Sequence, residues 1–403
     1  MAIDVALATQ VEESLLERNR LFEAFFSREA PRLAQACRAM ASRFMRNGRL
    51  LAFGKGPYAT DAQHVSVEFV HPVIVGKRAL PALDISAFFQ SWLETALQPE
   101  DMVMGFAPPE GDSEIEESLL RAQERGAMAF ALPTPTSGSG GKSSYSFQSI
   151  TNHPFLHQEL IEILYHTLWE TVHVYFEHRE LGHNVGEAGF LYPFLGGGQT
   201  HMDLETLEAL ETEVAASIQM KVRDDAALRE HVAQEQAEAI VAASQAIYER
   251  VQRGGKLIIF GNGGSATDAN DLPIDCFQPP SGYRPVPAIS LSLEPANISA
   301  IANDVGIDVI FLRQLIAHAR PQDAVVAIST SGGSRNICMA LEEAGKRGLL
   351  TVALLGYDGG EIARRKLAQF PLVVSCDYIP RIQEVQASMY HSMREILEVL
   401  SRA

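Results

Sequence analysis

The sequence contains an internal repeat, and this repeat restricts the possible fold more than any other feature. Residues 50–64 read LLAFGKGPYATDAQH and residues 257–271 read LIIFGNGGSATDAND, and the two segments align without a gap. A second pair follows in the same order, QELIEILYH at 158–166 and QEVQASMYH at 383–391. Two matched pairs in the same order favour a duplicated domain over a chance similarity. The chain has 403 residues, more than one hydrophobic core usually supports, which also favours two domains.

Each copy opens with the same order of predicted elements. A long stretch with apolar residues at helical spacing, 9–49 or 214–256, ends at a glycine-containing turn. An apolar strand, a glycine-containing loop and another helix follow, which is the opening unit of a doubly wound sheet. Further apolar segments predict more strands in both copies, such as DMVMGFA in the first and DAVVAIST in the second. We therefore expect an α/β fold of two tandem doubly wound domains, each a mostly parallel sheet flanked by helices.

The repeat also predicts the domain boundaries. We place the first domain at 1–178, a connector at 179–213 and the second domain at 214–403. The connector region is rich in glycine but also contains Phe, Tyr and Leu, which favours a segment packed on the surface over a lid; its role stays open. By composition, TPTSGSGGKSS at 134–144 predicts a flexible loop.

Charge and composition exclude several classes of function. The formal net charge of −17 argues against a general nucleic-acid or anionic-membrane binder, because the overall field repels phosphates. No apolar run approaches membrane-spanning length, and the N-terminal residues lack the apolar core of a signal peptide. The four cysteines show neither C-x-x-C spacing nor a disulfide framework. We expect a cytoplasmic protein without nucleic-acid or membrane partners.

Two loops of the second copy have the composition of phosphate-binding loops. Glycines let the backbone approach a phosphate closely, and the N-terminus of the following helix offers unpaired N–H groups. Either loop alone is a weak signal, because a helix N-cap explains one or two of the hydroxyls, but not the four that lie within six residues of the second loop. The candidate phosphate-binding residues are Asn262, Gly263, Ser265, Ser329, Thr330, Ser331 and Ser334.

The corresponding loops of the first copy have lost these features. GNGGS is replaced by GKGPY at 54–58. In the second loop the hydroxyl-bearing residues are replaced by Ala107, Pro108, Pro109 and Asp112, and Glu110 stands where the second copy has Gly332. Because the two new acids would repel a phosphate, we expect no phosphate site there.

Candidate acid/base and metal-binding residues lie in the first copy. His64 and Glu68 are four residues apart and share one helix face, and Gln158 and His166 share a face of the later helix. Two imidazoles, a carboxylate and an amide oxygen suit Zn²⁺ or another divalent metal, and the same groups could instead carry protons at a sugar carbonyl. A single helical histidine is more often a surface residue. The repeat favours a role, since Gln158 and His166 recur as Gln383 and His391, whereas the positions of His64 and Glu68 become Asp271 and Asp275.

These motifs resemble those of the SIS (sugar isomerase) domain family, and within it the sedoheptulose 7-phosphate isomerases (phosphoheptose isomerases). That family has a GNGGSA-x-DAQH-x-x-x-E segment, an STSGNS loop and a late Q-E-x-H-x-x-x-x-H helix. The second copy is similar over nearly all of 214–403, and the first mainly at DAQH-x-x-x-E and at the late helix. The first histidine of the late helix is Ile161 in one copy and Gln386 in the other.

The resemblance implies specific roles for the candidate residues. Glu68 and His166 would be the acid/base pair, and the metal ligands would be His64, Glu68, Gln158 and His166. The implied reaction is an aldose–ketose interconversion of a sugar phosphate such as sedoheptulose 7-phosphate through an enediol. Because the family's active sites lie at subunit interfaces and the losses in the two copies are complementary, we hypothesise one composite site. Its phosphate loops would come from the second copy and its acid/base groups from the first.

Assembly and two other functions remain to be considered. Since the family is commonly tetrameric, we expect a homo-oligomer, a dimer of this chain giving four SIS domains. The main alternative function is a non-catalytic sugar-phosphate-binding regulator or partner-binding scaffold, because both copies have degenerate sites. A third is that the second copy alone binds a sugar phosphate and regulates the first.

Overall fold

The structure, a computed structural model, describes residues 5–72, 77–134, 143–180 and 204–402. It divides into two compact units. The N-sheet unit comprises Leu21–His153 and Leu160–Arg223. The C-sheet unit comprises Met1–Arg20, Pro154–Glu159 and Asp224–Ala403.

The N-sheet unit is built on five parallel strands in the order β2-β1-β3-β4-β5. A short 3₁₀ turn at Ser86–Phe88 precedes the third helix. The elements from the start of the described chain are α1 (Val5–Met45), β1 (Leu50–Gly54), α2 (Tyr58–Val70), β2 (Ala82–Asp84), α3 (Phe89–Ala96), β3 (Met102–Phe106), α4 (Ser113–Glu124), β4 (Met128–Thr134), β5 (Tyr145–Gln148) and α5 (Pro154–Glu180).

The C-sheet unit also has five parallel strands, in the order β10-β9-β8-β6-β7. A 3₁₀ turn at Ile307–Val309 links its second and third short helices. The remaining elements are α6 (Leu204–Gln252), β6 (Leu257–Gly261), α7 (Gly264–Phe277), β7 (Ala288–Ser290), α8 (Pro295–Asp304), α9 (Ile310–His318), β8 (Ala324–Ser329), α10 (Arg335–Lys346), β9 (Leu350–Gly356), α11 (Gly360–Arg364), β10 (Phe370–Val374) and α12 (Ile379–Arg402).

Both sheets connect their strands in the same way. Counted within each unit, the spatial order is 2-1-3-4-5 in both, which is one of the common doubly wound orders. The expected α/β class with two parallel sheets flanked by helices is therefore confirmed. The shared order is also what duplication of one domain would produce.

Three long helices contribute residues to both units. The unit boundaries fall inside α1, α5 and α6, at Arg20, Glu159 and Arg223 respectively. Each of the predicted segments 1–178 and 214–403 contains one sheet. The compact units do not coincide with these segments, because α1, α5 and α6 are each divided between the two units. Of the predicted connector, residues 181–203 lie outside the described residues, and α6 begins at Leu204.

The central strands are buried on both faces, because helices cover both sides of each sheet. In the C-sheet unit, successive strand residues point into different cores. Val326 packs in the core that contains Leu272 of α7, whereas Val325 packs in the core that contains Leu341 of α10. The chain therefore leaves the adjacent strands β6 and β8 towards opposite faces. Such a switch point opens a crevice at the carboxyl ends of the strands, where ligands bind in this class of fold.

No helix within the described ranges combines the length and the apolar composition needed to cross a bilayer.

Candidate functional site

The two predicted phosphate loops follow the adjacent strands β6 and β8 of the C-sheet unit. The side-chain amides of Asn262 and Asn336 are paired, each Nδ2 donating to the other Oδ1 at 3.0 Å. Gly263 connects β6 to α7 with a positive φ of 58°, and no atom lies within 4 Å of where its Cβ would be. The structure thus places the two loops side by side at the switch point, with Asn262 bound to the first turn of α10.

Hydroxyl groups of the second loop are oriented by its own backbone. The N–H of Gly332 donates to Oγ of Ser329 at 3.2 Å, and the N–H of Gly333 donates to Oγ of Ser331 at 3.3 Å. Each hydroxyl keeps a hydrogen that it can donate to an anion. Ser334 is the N-cap residue of α10, without a side-chain cap bond, so the unpaired N–H groups of that helix start at this loop.

The other two predicted residues of these loops differ in exposure. Ser265 lies in the first turn of α7 and is buried, whereas Thr330 is half-buried directly after β8. Their positions fit a binding loop at the strand ends.

In the N-sheet unit a carboxylate of the chain itself occupies the equivalent helix start. Asp112 is the N-cap residue of α4 and accepts hydrogen bonds from the N–H groups of Glu114 and Ile115 at 2.9 and 3.1 Å. Lys55, in the degenerate first loop, pairs with Asp112 at 3.0 Å and also with Glu114. An internal anion thus satisfies the helix terminus and the nearby cation, which gives a physical reason for expecting no phosphate here.

A buried group of two histidines and a carboxylate lies in the N-sheet unit. His64 belongs to α2, and Glu162 and His166 belong to α5, four residues apart on one face. One ligand atom from each lies within 4.8 Å of the other two, and all three side chains are buried. Two imidazoles and one carboxylate form a donor set that zinc uses in proteins. Sequence reasoning missed Glu162; its spacing from His166 was the available signal.

Glu68, the predicted base, lies one helical turn beyond His64. Its Oε1 is 3.8 Å from Nε2 of His64, and the Nδ1 of that ring is hydrogen-bonded to the hydroxyl of Tyr165 at 2.9 Å. Tyr165 therefore leaves Nε2 as the ring atom that faces the carboxylate. The Glu68 side chain is fully buried, and within the described ranges neither of its oxygens has a hydrogen-bond partner. Such an unsatisfied carboxylate is costly to bury.

Gln158, the remaining predicted ligand, lies in the C-sheet unit. Its Nε2 donates a hydrogen bond to Oδ1 of Asp271 at 2.6 Å. The structure thus brings His64, Glu68 and His166 together with the unpredicted Glu162, and it gives Gln158 a carboxylate partner on α7.

Asp271 is part of a second buried group that the sequence analysis gave no role. Asp271 and Asp275 lie on α7, and His391 lies on α12. One ligand atom from each is within 4.8 Å of the other two. Nε2 of His391 is 3.3 Å from Oδ2 of Asp275 and 3.7 Å from Oδ2 of Asp271.

A buried ion pair supports this second group. Nε of Arg18 donates to both oxygens of Glu159, at 3.0 and 2.9 Å, and the Ser388 hydroxyl donates to the same carboxylate at 2.6 Å. Oε1 of Glu159 also lies 2.9 Å from Nδ1 of His391. Burial opposes the charge of Glu159, but Arg18 and His391 outweigh it and lower the pKa of Glu159 to about 2.

The ionisation of the two facing groups is also perturbed. Burial and the neighbouring Asp271 carboxylate raise the pKa of Asp275 to about 7. Burial alone would lower the pKa of His391, but its carboxylate contacts outweigh burial and raise that pKa well above the ordinary value. Both shifts favour the protonated forms of Asp275 and His391.

The chain is similar in sequence and in fold to known proteins. A family model described as "SIS domain" matches residues 222–356. The phosphoheptose isomerase of Geotalea daltonii is 38% identical over 182 residues, covering 45% of this chain and 94% of that protein. The phosphoheptose isomerase of Geobacter sp. is 42% identical over 161 residues, covering 40% and 83%. The crystal structure of tagatose-6-phosphate ketose/aldose isomerase from Escherichia coli has a TM-score of 0.56 at 12% identity and covers 100% of this chain and 96% of that one, a likeness of fold alone.

Proposed function

This chain belongs to the SIS-domain family, with phosphoheptose isomerases among its relatives, and we propose that it interconverts the aldose and ketose forms of a sugar phosphate. The relatives align with less than half of this chain. Sedoheptulose 7-phosphate is the proposed substrate, on the strength of the motifs shared with that family. The proposed reaction moves a proton between two adjacent carbons through an enediol.

The observation that carries the proposal is the environment of Glu68. A buried carboxylate without hydrogen-bond donors is costly to the fold, and such groups are found where a function uses them. Across residues 5–72, 77–134, 143–180 and 204–402, both oxygens of Glu68 lack a hydrogen-bond partner, and one faces His64 at 3.8 Å. An isomerase needs such a proton acceptor beside groups that can serve the substrate's oxygens.

The residues around Glu68 divide the proposed chemistry. Glu68 would take the proton from the carbon next to the carbonyl and return it to the neighbouring carbon. His166 would exchange a proton with the carbonyl and hydroxyl oxygens. Tyr165 holds the His64 ring in place through its 2.9 Å hydrogen bond.

The donors around His64 also fit a metal. His64, Glu162 and His166 are buried and offer the two imidazoles and one carboxylate that zinc accepts. Zn²⁺ or another divalent metal bound by these residues would polarise the substrate carbonyl.

Binding of the substrate phosphate is assigned to the loops of the second copy. Backbone N–H groups and the hydroxyls of Ser329 and Ser331 would hold it. Such donors at a helix N-terminus can bind a phosphate even though the protein carries a net negative charge. The hypothesis that one substrate uses these loops together with Glu68 stays a prediction. Its support is the complementary loss of residues in the two copies of the sequence.

A turnover assay with sedoheptulose 7-phosphate tests the proposal. Glu68→Gln should lower kcat by about 10²–10⁴-fold, because it removes the base and keeps the shape. The matched control Glu117→Gln, at an exposed carboxylate of α4, should leave kcat unchanged. Ser329→Ala should raise KM more than it lowers kcat. If Glu68→Gln turns over at the wild-type rate, Glu68 is not the base.

The acid-filled loop of the N-sheet unit favours a second candidate, a non-catalytic regulator or scaffold that binds a sugar phosphate. Asp112 and Lys55 form an ion pair where the second copy keeps its hydroxyls, so we expect a phosphate site in only one of the two copies. This candidate predicts no turnover by the unmodified chain, together with saturable sugar-phosphate binding that survives Glu68→Gln. Turnover above background by the unmodified chain excludes it.

A further inference from the structure

The hydroxyl-rich loop of the C-sheet unit is followed by an exposed arginine, and we propose that Arg335 is a further substrate-binding residue, which binds the sugar's phosphate from the open side of the loop. In the structure its guanidinium is paired with Asp308, Nε lying 3.2 Å from Oδ2. The inference rests on the proposed function, because it concerns the same phosphate loops. It adds a cation that recognises the phosphate and an acid, Asp308, that competes with the phosphate for that cation.

The first argument is the charge at the start of α10. Arg335 is the first residue of this helix, whose first turn reads Arg-Asn-Ile-Cys. The N-terminus of a helix carries a partial positive charge, so a cation is unfavourable there and an anion is favourable. An arginine at this position therefore costs the helix stability unless an anion lies close to both. A phosphate bound at the loop would be such an anion.

The equivalent helix of the first copy has the ordinary charge pattern. In the alignment of the two loops, Ser113 stands at the position of Arg335. Asp112 caps α4, and Glu114 and Glu116 lie in its first turn. The copy in which we expect no phosphate site thus places its own acids at this helix end, whereas the copy with the hydroxyl-rich loop has an arginine there. This opposite pattern is what binding of an external anion at α10, and not at α4, would require.

The second argument is the direction of the Arg335 side chain. Ser331, Gly333 and Arg335 are exposed, whereas Gly332 and Asn336 are buried. Because the Cα–Cβ bonds of an α-helix tilt towards its N-terminus, the side chain of the first helical residue extends back towards the preceding loop. Arg335 therefore lies on the same open side of the loop as the Ser331 hydroxyl, which keeps a hydrogen to donate.

Asp308 lies at the same edge of the sheet. It belongs to the 3₁₀ turn Ile307–Val309, which precedes α9 and packs against α10. Since α9 leads to the amino end of β8, its own start lies towards the carboxyl ends of the strands, where the phosphate loops are. The acid that pairs with Arg335 is thus beside the proposed phosphate position.

The third argument is that a phosphate can replace Asp308 at little cost. The side chains of Arg335 and Asp308 are 77% and 41% exposed. Exposed ion pairs contribute little to stability, because water and salt screen them. A phosphate monoester carries up to two negative charges at pH 7 and can offer two oxygens to the planar guanidinium at once. Substrate binding would therefore exchange a weak partner of Arg335 for a stronger one.

Isothermal titration calorimetry of the full chain with sedoheptulose 7-phosphate tests the inference. Arg335→Ala should weaken binding by about 10–100-fold, because charge-assisted hydrogen bonds to the phosphate are lost. Arg335→Lys should recover only part of the affinity, since lysine keeps the charge without the planar fork. The matched control is Arg253→Ala. It removes a similarly exposed arginine, whose pair with Glu249 is 68% and 48% exposed, from the turn before β6 at the amino ends of the strands. The control should bind normally, and circular dichroism checks that each variant is folded.

Asp308→Asn should change the affinity in the opposite direction. If Asp308 competes for the guanidinium, its removal should strengthen binding by up to about fivefold, the size of an exposed ion pair. Most of this gain should vanish when Arg335→Ala is combined with it, because no guanidinium is then left to release. An arginine that merely belongs to the surface would produce neither the gain nor its dependence on Arg335.

The possible outcomes separate this inference from the proposed function. Equal affinities of Arg335→Ala and the unmodified chain overturn the inference and leave the proposed function intact, and a gain of Asp308→Asn that persists in full without Arg335 overturns the exchange. If the unmodified chain binds neither sedoheptulose 7-phosphate nor inorganic phosphate at millimolar concentration, the phosphate assignment is wrong and the inference is wrong with it. In a turnover assay, Arg335→Ala should raise KM and change kcat little, whereas Glu68→Gln lowers kcat.

Discussion

Replacing Glu159 with glutamine should destabilise the C-sheet unit strongly. Arg18 and Glu159 are 0% and 1% exposed, and Nε of Arg18 donates to both carboxylate oxygens. Removing one partner of a buried ion pair leaves an uncompensated charge, which costs about 3–5 kcal/mol. The lowered pKa gives the same size, because a drop from the ordinary 4.5 to about 2 corresponds to about 3 kcal/mol. We therefore expect a loss of about 3 kcal/mol for Glu159→Gln.

Urea unfolding at pH 7, followed by circular dichroism in the presence of a chelator, measures this loss. Because two units can unfold separately, hydrogen exchange of peptides from α12 should show which unit is weakened. The matched control is Glu117→Gln, whose partner Arg121 lies four residues away in an exposed pair, 63% and 65% exposed. That variant should lose less than about 0.5 kcal/mol.

A double-mutant cycle isolates the pair. Arg18→Met should cost much less in the Glu159→Gln background than in the unmodified chain, because the interaction has already been lost. A loss for Glu159→Gln no larger than that of the exposed control would refute the reasoning. So would strictly additive losses in the cycle.

The other predictions concern pH, the core and a binding loop. Since the folded-state pKa of Glu159 is depressed, its contribution to the free energy of unfolding is complete above pH 4.5 and disappears as the pH falls towards 2. In acid titrations, the stabilities of the unmodified chain and Glu159→Gln should therefore converge over that interval. Leu354→Ala, in the fully buried strand β9, should cost about 2–5 kcal/mol in urea unfolding. Gly332→Ala should abolish sugar-phosphate binding measured by calorimetry, because a Cβ there would clash with the carbonyl oxygen of Gly359 and the φ of +59° is already unfavourable. Gly254→Ala, with a φ of +80° and open space, is its control and should bind normally.

The sheets were predictable because their signal is local. Segments such as LLAF and LIIF are continuous apolar runs, and the structure buries them between two helical layers as β1 and β6. The order of elements within each copy then restricts the topology to a doubly wound sheet. Helical spacing and the family resemblance also predicted His64, Glu68, Gln158 and His166 as a set, although the structure pairs Gln158 with Asp271 instead.

The membership of the compact units was not predictable in this way. Pro154–Glu159 belongs to the C-sheet unit although it is continuous with a helix of the N-sheet unit. Sequence similarity to one copy says where a residue came from by duplication, and it does not say which core the residue packs in. For the same reason the hydrogen bond from Gln158 to Asp271 had no sequence signal.

Glu162 shows a different limit. The family pattern places a histidine at the preceding position, where this chain has Ile161, and it gives no role to the position of Glu162. The carboxylate reaches the group because α5 turns residues four apart to one face. Periodicity could have suggested the position, but burial and the distance to His64 come only from the structure.

The two copies differ in the residues that stand where the other copy has its predicted site residues. At the degenerate phosphate loop, hydroxyls were replaced by Ala107, Pro108 and Pro109, and by Asp112, whose carboxylate caps α4 and pairs with Lys55. At the positions of His64 and Glu68, the other copy has Asp271 and Asp275, which are again ionisable and fully buried. Buried carboxylates destabilise a fold unless they are paired, whereas apolar residues of similar size would not. In the second copy the buried acids are compensated instead, because Gln158 and Tyr390 donate to Asp271 and Nε2 of His391 lies 3.3 Å from Asp275.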